Sequence, residues 1–358
     1  MRSESLAFFK SLVEAPSPSG YEQPAARVLR DYLEPLADEV STNVMGSVHA
    51  SLRGSDAERD RGRMSVMLAG HIDEIGMMVT YITAEGFIAF KPIGGVDEAV
   101  LPGMRVRVHT KEGPLLGILG RMPIHLLEED ERKSVTKVHK LFIDLGMSAE
   151  RVNDVVRLGD PITFDVGFEE FGDGMVVSRA FDDKMGAFIC AEVLRIVKER
   201  GGARVDLVVA GTVQEEIGLR GGVTSSYGVD PTIGLAVEVG HATDYPDVDK
   251  RKHGEACCGK GPIIARGANI NPMVFRRLIE AAEAAGVPHQ FGGEPRATGT
   301  DASAIQLARG GKPAGLVSVP IRYMHTPVEA LALADVEAAI ELLAEFVLRL
   351  EPDTDYTP

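Results

Sequence analysis

The sequence predicts an α/β protein: a mostly parallel mixed sheet covered by helices, with a smaller all-β, barrel-like domain inserted into it. Three observations carry that expectation. Apolar runs of strand length alternate with helix-length stretches in the first and last parts of the chain. Between about residues 75 and 170 the texture changes to short β-like runs broken by Gly, Pro and Asp. The chain, at 358 residues, is long enough for one large domain and a second one.

Taken in order, residues 3–14 and 22–38 read as helices, interrupted by Pro16, Pro18 and Gly20. The polar stretch GSDAERDRGR at 54–63 reads as a surface loop. MSVMLAG at 64–70 is a short apolar run suited to a buried strand, and it ends abruptly in His71-Ile72-Asp73. MMVTYI, GFIAF, MRVRVHT, PLLGILG and DPITFDV then follow as strand-like runs. Among them VRVHT-KEG-PLLGIL has the form of a hairpin, with Gly113 in the connection. From 175 the alternation returns, with a helix over 184–200, strands over 205–211 and 233–239, and a helix over 272–286. A strand over 315–321 and a helix over 335–349 close the chain. Strands separated by helices imply a covered, largely parallel sheet. The expected division is an α/β domain in two parts, 1–73 and 173–352, an inserted β domain over 74–172, and a frayed tail, 353–358.

The formal charge of −15 argues against a general nucleic-acid binder, because neutralising phosphates needs a basic surface. It also disfavours adsorption to an anionic membrane. Cys190, Cys257 and Cys258 form neither a disulfide framework nor a zinc knuckle. The N-terminal stretch carries Glu4, Lys10 and Glu14 and lacks a continuous apolar segment, so it reads as an amphipathic helix and not as a secretory leader. With no apolar run long enough to span a bilayer, the expectation is a soluble, cytoplasmic protein.

In open α/β sheets ligands sit beyond the carboxyl ends of the strands. Applied here, that rule collects polar groups. His71 and Asp73 follow one apolar strand, Glu215 and Glu216 a second, and Glu238 and His241 lie near the end of a third. His325 follows a fourth, and Asp182-Asp183 precede a helix. Each has an ordinary reading: a strand-end histidine is more often structural, a Glu-Glu pair is usually solvated, and Asp-Asp before a helix is a cap. Glu238, however, stands in an apolar strand, where an unpaired carboxylate is costly. Several carboxylates gathered without cations repel one another, and histidines among them make a pair of divalent metals the simplest remedy. Residues i and i+2 share a strand face, so Asp73 is placed to orient the His71 imidazole.

The motifs GHIDEIG (70–76), RAFDDKMG (179–186), VQEEIGLRGG (213–222), VEVGHATDYP (237–246) and RYMHTPVE (322–329) occur in the order seen in the M42 family of metallo-aminopeptidases. TGTDA (298–302) and EAPSPSGYE (14–22) are also similar to that family, so the resemblance covers nearly the whole chain. It implies two divalent ions per subunit, zinc or cobalt. His71 resembles a ligand of the first ion, and Asp182 resembles the carboxylate that bridges both. Glu216 and His325 resemble ligands of the other ion, and Glu215 matches the general base. Asp182 is preferred over Asp183 because the second position is the less restricted in the family's pattern. Glu238 stands where the family typically has Asp, one methylene longer, which leaves that ion's geometry open.

The implied reaction is removal of N-terminal residues from peptides, with Glu215 passing the proton of a metal-activated water to the leaving amine. The resemblance also implies a dodecamer, with the inserted domain used for oligomerisation. Related metal hydrolases that remove acyl groups or C-terminal residues keep the same fold. A glycosidase needs two carboxylates facing each other across a sugar at roughly 5–9.5 Å and leaves both histidines idle. A non-catalytic scaffold is the reading from another class, and intact motifs argue against it.

Overall fold

The computed structural model describes residues 1–55 and 64–358, so the loop expected over 54–63 lies largely outside the described residues. Helices α1 (Ser3–Glu14) and α2 (Gln23–Leu33) precede strands β1 (Glu39–Thr42), β2 (Val48–Leu52) and β3 (Ser65–His71). Next come β4 (Gly76–Ile82), β5 (Ile88–Ile93), β6 (Arg105–Thr110), β7 (Gly113–Gly120), α3 (Glu129–Arg132), β8 (Phe142–Asp144), α4 (Ala149–Val155) and β9 (Pro161–Phe164). A short excursion, β10 (Glu169–Phe171) and β11 (Met175–Ser178), leads to α5 (Phe181–Glu199), β12 (Asp206–Thr212), α6 (Arg220–Val229) and β13 (Ile233–His241). The rest is α7 (Lys250–His253), β14 (Ile263–Gly267), α8 (Pro272–Ala285), β15 (Gln290–Glu294), α9 (Asp301–Gln306), β16 (Ala314–Ile321), β17 (Glu329–Ala332) and α10 (Leu333–Leu348). Helix α2 stops short of the expected residue 38, because Pro35 supplies no N–H to continue the ladder.

The large sheet has the order β1-β2-β12-β3-β13-β16-β14-β15. Its centre, β12-β3-β13-β16, is parallel throughout, while β1, β2 and the β14–β16 pairing are antiparallel. Strand periodicity divides the side chains between two cores. Val66, Leu68, Leu207, Val209, Leu235, Val237, Val317 and Val319 face the larger core, under α1, α2, α5, α8 and α10. Met67, Ala69, Ala210, Ala236 and Leu316 face the other side, where Ala302 and Ile305 of α9 pack. Both faces are therefore dry, as a parallel centre requires.

Strands β4 to β9 close into a six-stranded barrel in the order β4-β5-β8-β7-β6-β9, with its own core of Met77, Val79, Val106, Val108, Leu119, Ile143 and Ile162. The hairpin expected around Gly113 forms, with Thr110 opposite Gly113 and a φ of +111° at the glycine. The tail differs from its expectation. Tyr356 is buried in the main core, and Asn271 Nδ2 donates to its carbonyl at 2.8 Å, so this end of the chain is docked instead of frayed.

Candidate metal centre

The parallel register brings the carboxyl ends of four strands together. Thr212 of β12 lies opposite His71 of β3, and Glu238 of β13 opposite Ser318 of β16. Helix α5 enters this edge at very close range. A Cβ on Gly70 would stand 2.4 Å from the Ala187 nitrogen, and one on Gly186 would stand 2.1 Å from the Val237 carbonyl. Only glycine at both positions lets the start of α5 rest on the strand ends, which delivers Asp182 and Asp183 to the edge. Those two residues are non-helical and joined by a cis peptide. Ala180, Gln214, Tyr323 and His325 all have positive φ, so the segments carrying the polar groups are held in sparsely populated backbone states.

Asp182 sits at the centre. Its Oδ1 lies 3.1 Å from His71 Nε2, and its Oδ2 lies 3.4 Å from His325 Nε2. His71 Nε2 is also 3.8 Å from Glu215 Oε2 and 3.8 Å from Glu238 Oε2. His325 Nε2 is 3.5 Å from Glu216 Oε2. All six residues meet in one place. Asp183 is buried beside them, but its oxygens accept the main-chain N–H groups of His71 and Gly186, both at 3.1 Å. Main-chain donors therefore occupy Asp183, whereas the Asp182 carboxylate opens toward a histidine on each side. His241 ends β13 exposed.

The histidines are oriented from behind. His71 Nδ1 donates to the Asp73 carbonyl at 3.1 Å, and His325 Nδ1 donates to the Gly95 carbonyl at 3.0 Å. Those bonds occupy each Nδ1 and turn each Nε2 toward the carboxylates. Asp73 does its other work through its side chain, as its oxygens accept the N–H groups of Glu215 (3.0 Å), Glu216 (3.1 Å) and the Ser19 hydroxyl (2.7 Å). It orients the Glu pair as well as the histidine.

The charges confirm how crowded the cluster is. Burial, with added repulsion from Asp301, Asp182 and Asp73, pushes the Glu215 carboxyl up to about 7. Burial and Asp182 push Glu216 to about 8, and burial and Asp183 raise Glu238 well above the carboxylate range. Burial opposes the charge of Asp182 too, yet hydrogen bonds from His325 and His71 outweigh it and hold that carboxyl low. The bond to Asp182 lifts His325 to about 9. Glu216 Oε1 is buried without a hydrogen-bond partner. A set of acids that cannot all ionise, two Nε2 atoms facing them and an orphaned carboxylate oxygen together suit divalent cations. His71, Asp182 and Glu216 offer ligand atoms within 4.8 Å of one another, as do His71, Asp183 and Glu238.

Three contributors escaped the sequence reading. Glu329 is buried and accepts the N–H groups of Asp182 and His325. Asp301 N donates to Glu238 Oε1 at 3.2 Å, while Asp301 Oδ2 receives Thr212 Oγ1 at 2.6 Å. Gly95 reaches in from the barrel. Glu329 and Asp301 lie inside the quoted motifs RYMHTPVE and TGTDA, which was the available signal, whereas Gly95 acts through its backbone and left none.

The profile of the M42 glutamyl aminopeptidase family matches residues 46–342. A lysyl aminopeptidase of Pyrococcus furiosus is 33% identical over 353 residues, covering 98% of each chain. A TET aminopeptidase from the marine-sediment archaeon Thaumarchaeota archaeon SCGC AB-539-E09 superposes with a TM-score of 0.91 at 35% identity, over 97% of each chain. The TET1 peptidase of Pyrococcus horikoshii, described as assembling into a tetrahedron or a large octahedral shell, gives a TM-score of 0.83 at 30% identity. That match covers 97% of this chain and 100% of the other.

Proposed function

The chain belongs to the M42 peptidase family and is an aminopeptidase, and from that premise we propose that it hydrolyses peptides at a dinuclear metal centre built from the cluster above. The observation that carries this reading is the Asp182 carboxylate, with one oxygen toward His71 and the other toward His325. In this assignment His71, Glu238 and Asp182 would hold one ion, and Glu216, His325 and Asp182 the other. Zinc and cobalt both suit two imidazoles among carboxylates. When bound, the cations supply Lewis acidity, acidifying a water and polarising a carbonyl.

The chain's own groups do the rest. Glu215 lies 3.8 Å from His71 Nε2 but is absent from the set close to His325. It would take a proton from water and return it to the leaving amine. Adjacent residues diverge, so Glu216 can serve an ion while Glu215 faces substrate. Asp73 fixes both through their N–H groups. Glu238 reaches the cluster despite its extra methylene because Asp301 N draws its Oε1 aside, which leaves Oε2 on the His71 side.

We also propose assembly into a large homo-oligomer, a dodecamer, with the inserted domain, 74–172, as a contact region. Leu116, Ile118, Met122, Ile124, Leu126 and Val135 support this, since the insert exposes them all. Cys190, Cys257 and Cys258 are free, as suits a reducing, cytoplasmic setting. Among the described residues, no helix is long and apolar enough to cross a membrane.

A panel of aminoacyl nitroanilides, assayed with chelator and after re-addition of zinc or cobalt, tests the reading. Turnover should vanish with chelator and return with metal. Glu215→Gln should lower kcat by roughly 10²–10⁴-fold while metal still binds. Full activity after exhaustive metal removal would end the proposal.

A further inference from the structure

Glu329 begins β17 and is buried. Its Oε2 accepts the main-chain N–H of Asp182 at 3.0 Å, and its Oε1 accepts that of His325 at 3.1 Å. Each oxygen thus serves one of the two residues whose side chains face each other across the cluster. We propose that Glu329 is a positioning residue, whose carboxylate fixes Asp182 relative to His325 and so sets the affinity of the centre for cations without touching one. The proposal rests on reading the cluster as a cation centre.

The fold is arranged to put that carboxylate there. Strand β17 pairs antiparallel with β11 so that Glu329 stands opposite Ser178, shortly before Asp182 in the chain. Arg322 and Ala330 form an isolated antiparallel bridge, which folds the segment carrying His325 back over Glu329. The small β10-β11-β17 sheet therefore joins two segments that are distant in sequence, and Glu329 is the side chain on which both converge. These segments need restraint. Ala180, Tyr323 and His325 occupy the left-handed region, which non-glycine residues leave unless their surroundings hold them.

The chemistry also restricts the residue type. Two N–H donors converge on one side chain, and only a carboxylate offers two acceptors there. Glutamine would turn an NH2 group toward one of the donors. Aspartate keeps both acceptors but is a methylene short of spanning them. Because Glu329 holds main-chain groups, its loss would displace Asp182 and His325 at their roots, moving ligand atoms already spaced for a cation.

The test is zinc affinity of metal-stripped protein, measured by competition with a chelating dye, for wild type, Glu329→Gln, Glu329→Asp and Asp335→Asn. Asp335 is the control: it is also buried and accepts two main-chain N–H groups, from Gly259 and Gly261 at 2.6 Å each, but away from the cluster. The expected result is a loss of about 10–100-fold in zinc affinity for Glu329→Gln. A smaller loss is expected for Glu329→Asp and none for Asp335→Asn. If Glu329→Gln does not fold, Glu329→Asp against Asp335→Asn decides alone. Wild-type affinity in the Glu329 variants, or an equal loss in Asp335→Asn, overturns the proposal and leaves the cation centre standing. Absence of zinc binding by wild type removes the cation centre itself.

Discussion

Asp73 Oδ1 accepts the main-chain N–H of Glu215 at 3.0 Å, so the residue assigned as base takes its place from the end of a neighbouring strand. The other Asp73 oxygen serves Glu216 and Ser19. Asp73→Asn keeps the volume but removes one acceptor, so the turn carrying both glutamates loosens. The expected outcome is a fall of about 10–100-fold in kcat with KM within a factor of a few, in assays saturated with metal. Unchanged kcat would show that the turn holds its shape without Asp73.

Gly95 approaches His325 so closely that an added Cβ would stand 2.8 Å from Nδ1. Gly95→Ala must therefore push the imidazole away or break its bond to the Gly95 carbonyl. The expectation is at least about a tenfold loss of activity, with bound metal below wild type at matched free concentration, in a folded protein. Elemental analysis after dialysis, with circular dichroism as the folding control, checks it.

Glu74 gives a pH prediction that does not draw on the proposed centre. It is buried, pairs with Arg179, and accepts from Lys184 Nζ at 3.0 Å and Ser17 N at 2.9 Å. Burial alone would raise its pKa, but the charges of Arg179 and Lys184 outweigh that and bring it to about 2. A folded pKa below the unfolded one means that stability from this group is full above about pH 4.5 and is lost as pH falls toward 2. Its size is on the order of 3 kcal/mol. Unfolding midpoints of metal-stripped wild type and Glu74→Gln should therefore differ most near neutrality and converge as pH falls from about 5 to 2. A gap independent of pH would sink the assignment.

For assembly, the expectation is that light scattering after size exclusion gives a mass many times that of one chain. Ile124→Glu with Leu126→Glu, both exposed on the insert, should shift the distribution to smaller species while far-ultraviolet circular dichroism stays unchanged. A wild-type monomer would count against the oligomer.

The sheet's central strands were legible because each is a mainly apolar run, and the rule about strand ends then pointed to His71, Glu215, Glu216, Glu238 and His325. The edge strands β1 and β15 were not, since half-exposed sequences such as EVST and QFGGE carry little apolar signal. The inserted segment read as β from its texture, but its closure depends on β9 meeting both β4 and β6, pairings that no local pattern announces. Within the cluster, side chains bearing nitrogen and oxygen donors could be anticipated. What holds them could not. Glu329 and Asp301 act on main-chain N–H groups, and any carboxylate at the right place in space would serve, whatever its neighbours in sequence.

The barrel's single carbonyl at Gly95 has a wider meaning for how such a chain can change. Because that oxygen accepts from His325 Nδ1, the barrel is a working part of the proposed centre and not cargo carried on a loop. Redesigns that trim, swap or re-angle the barrel will be judged first by whether one histidine still presents its Nε2, long before any loss of fold. A neighbouring subunit that pressed on the barrel would have the same handle.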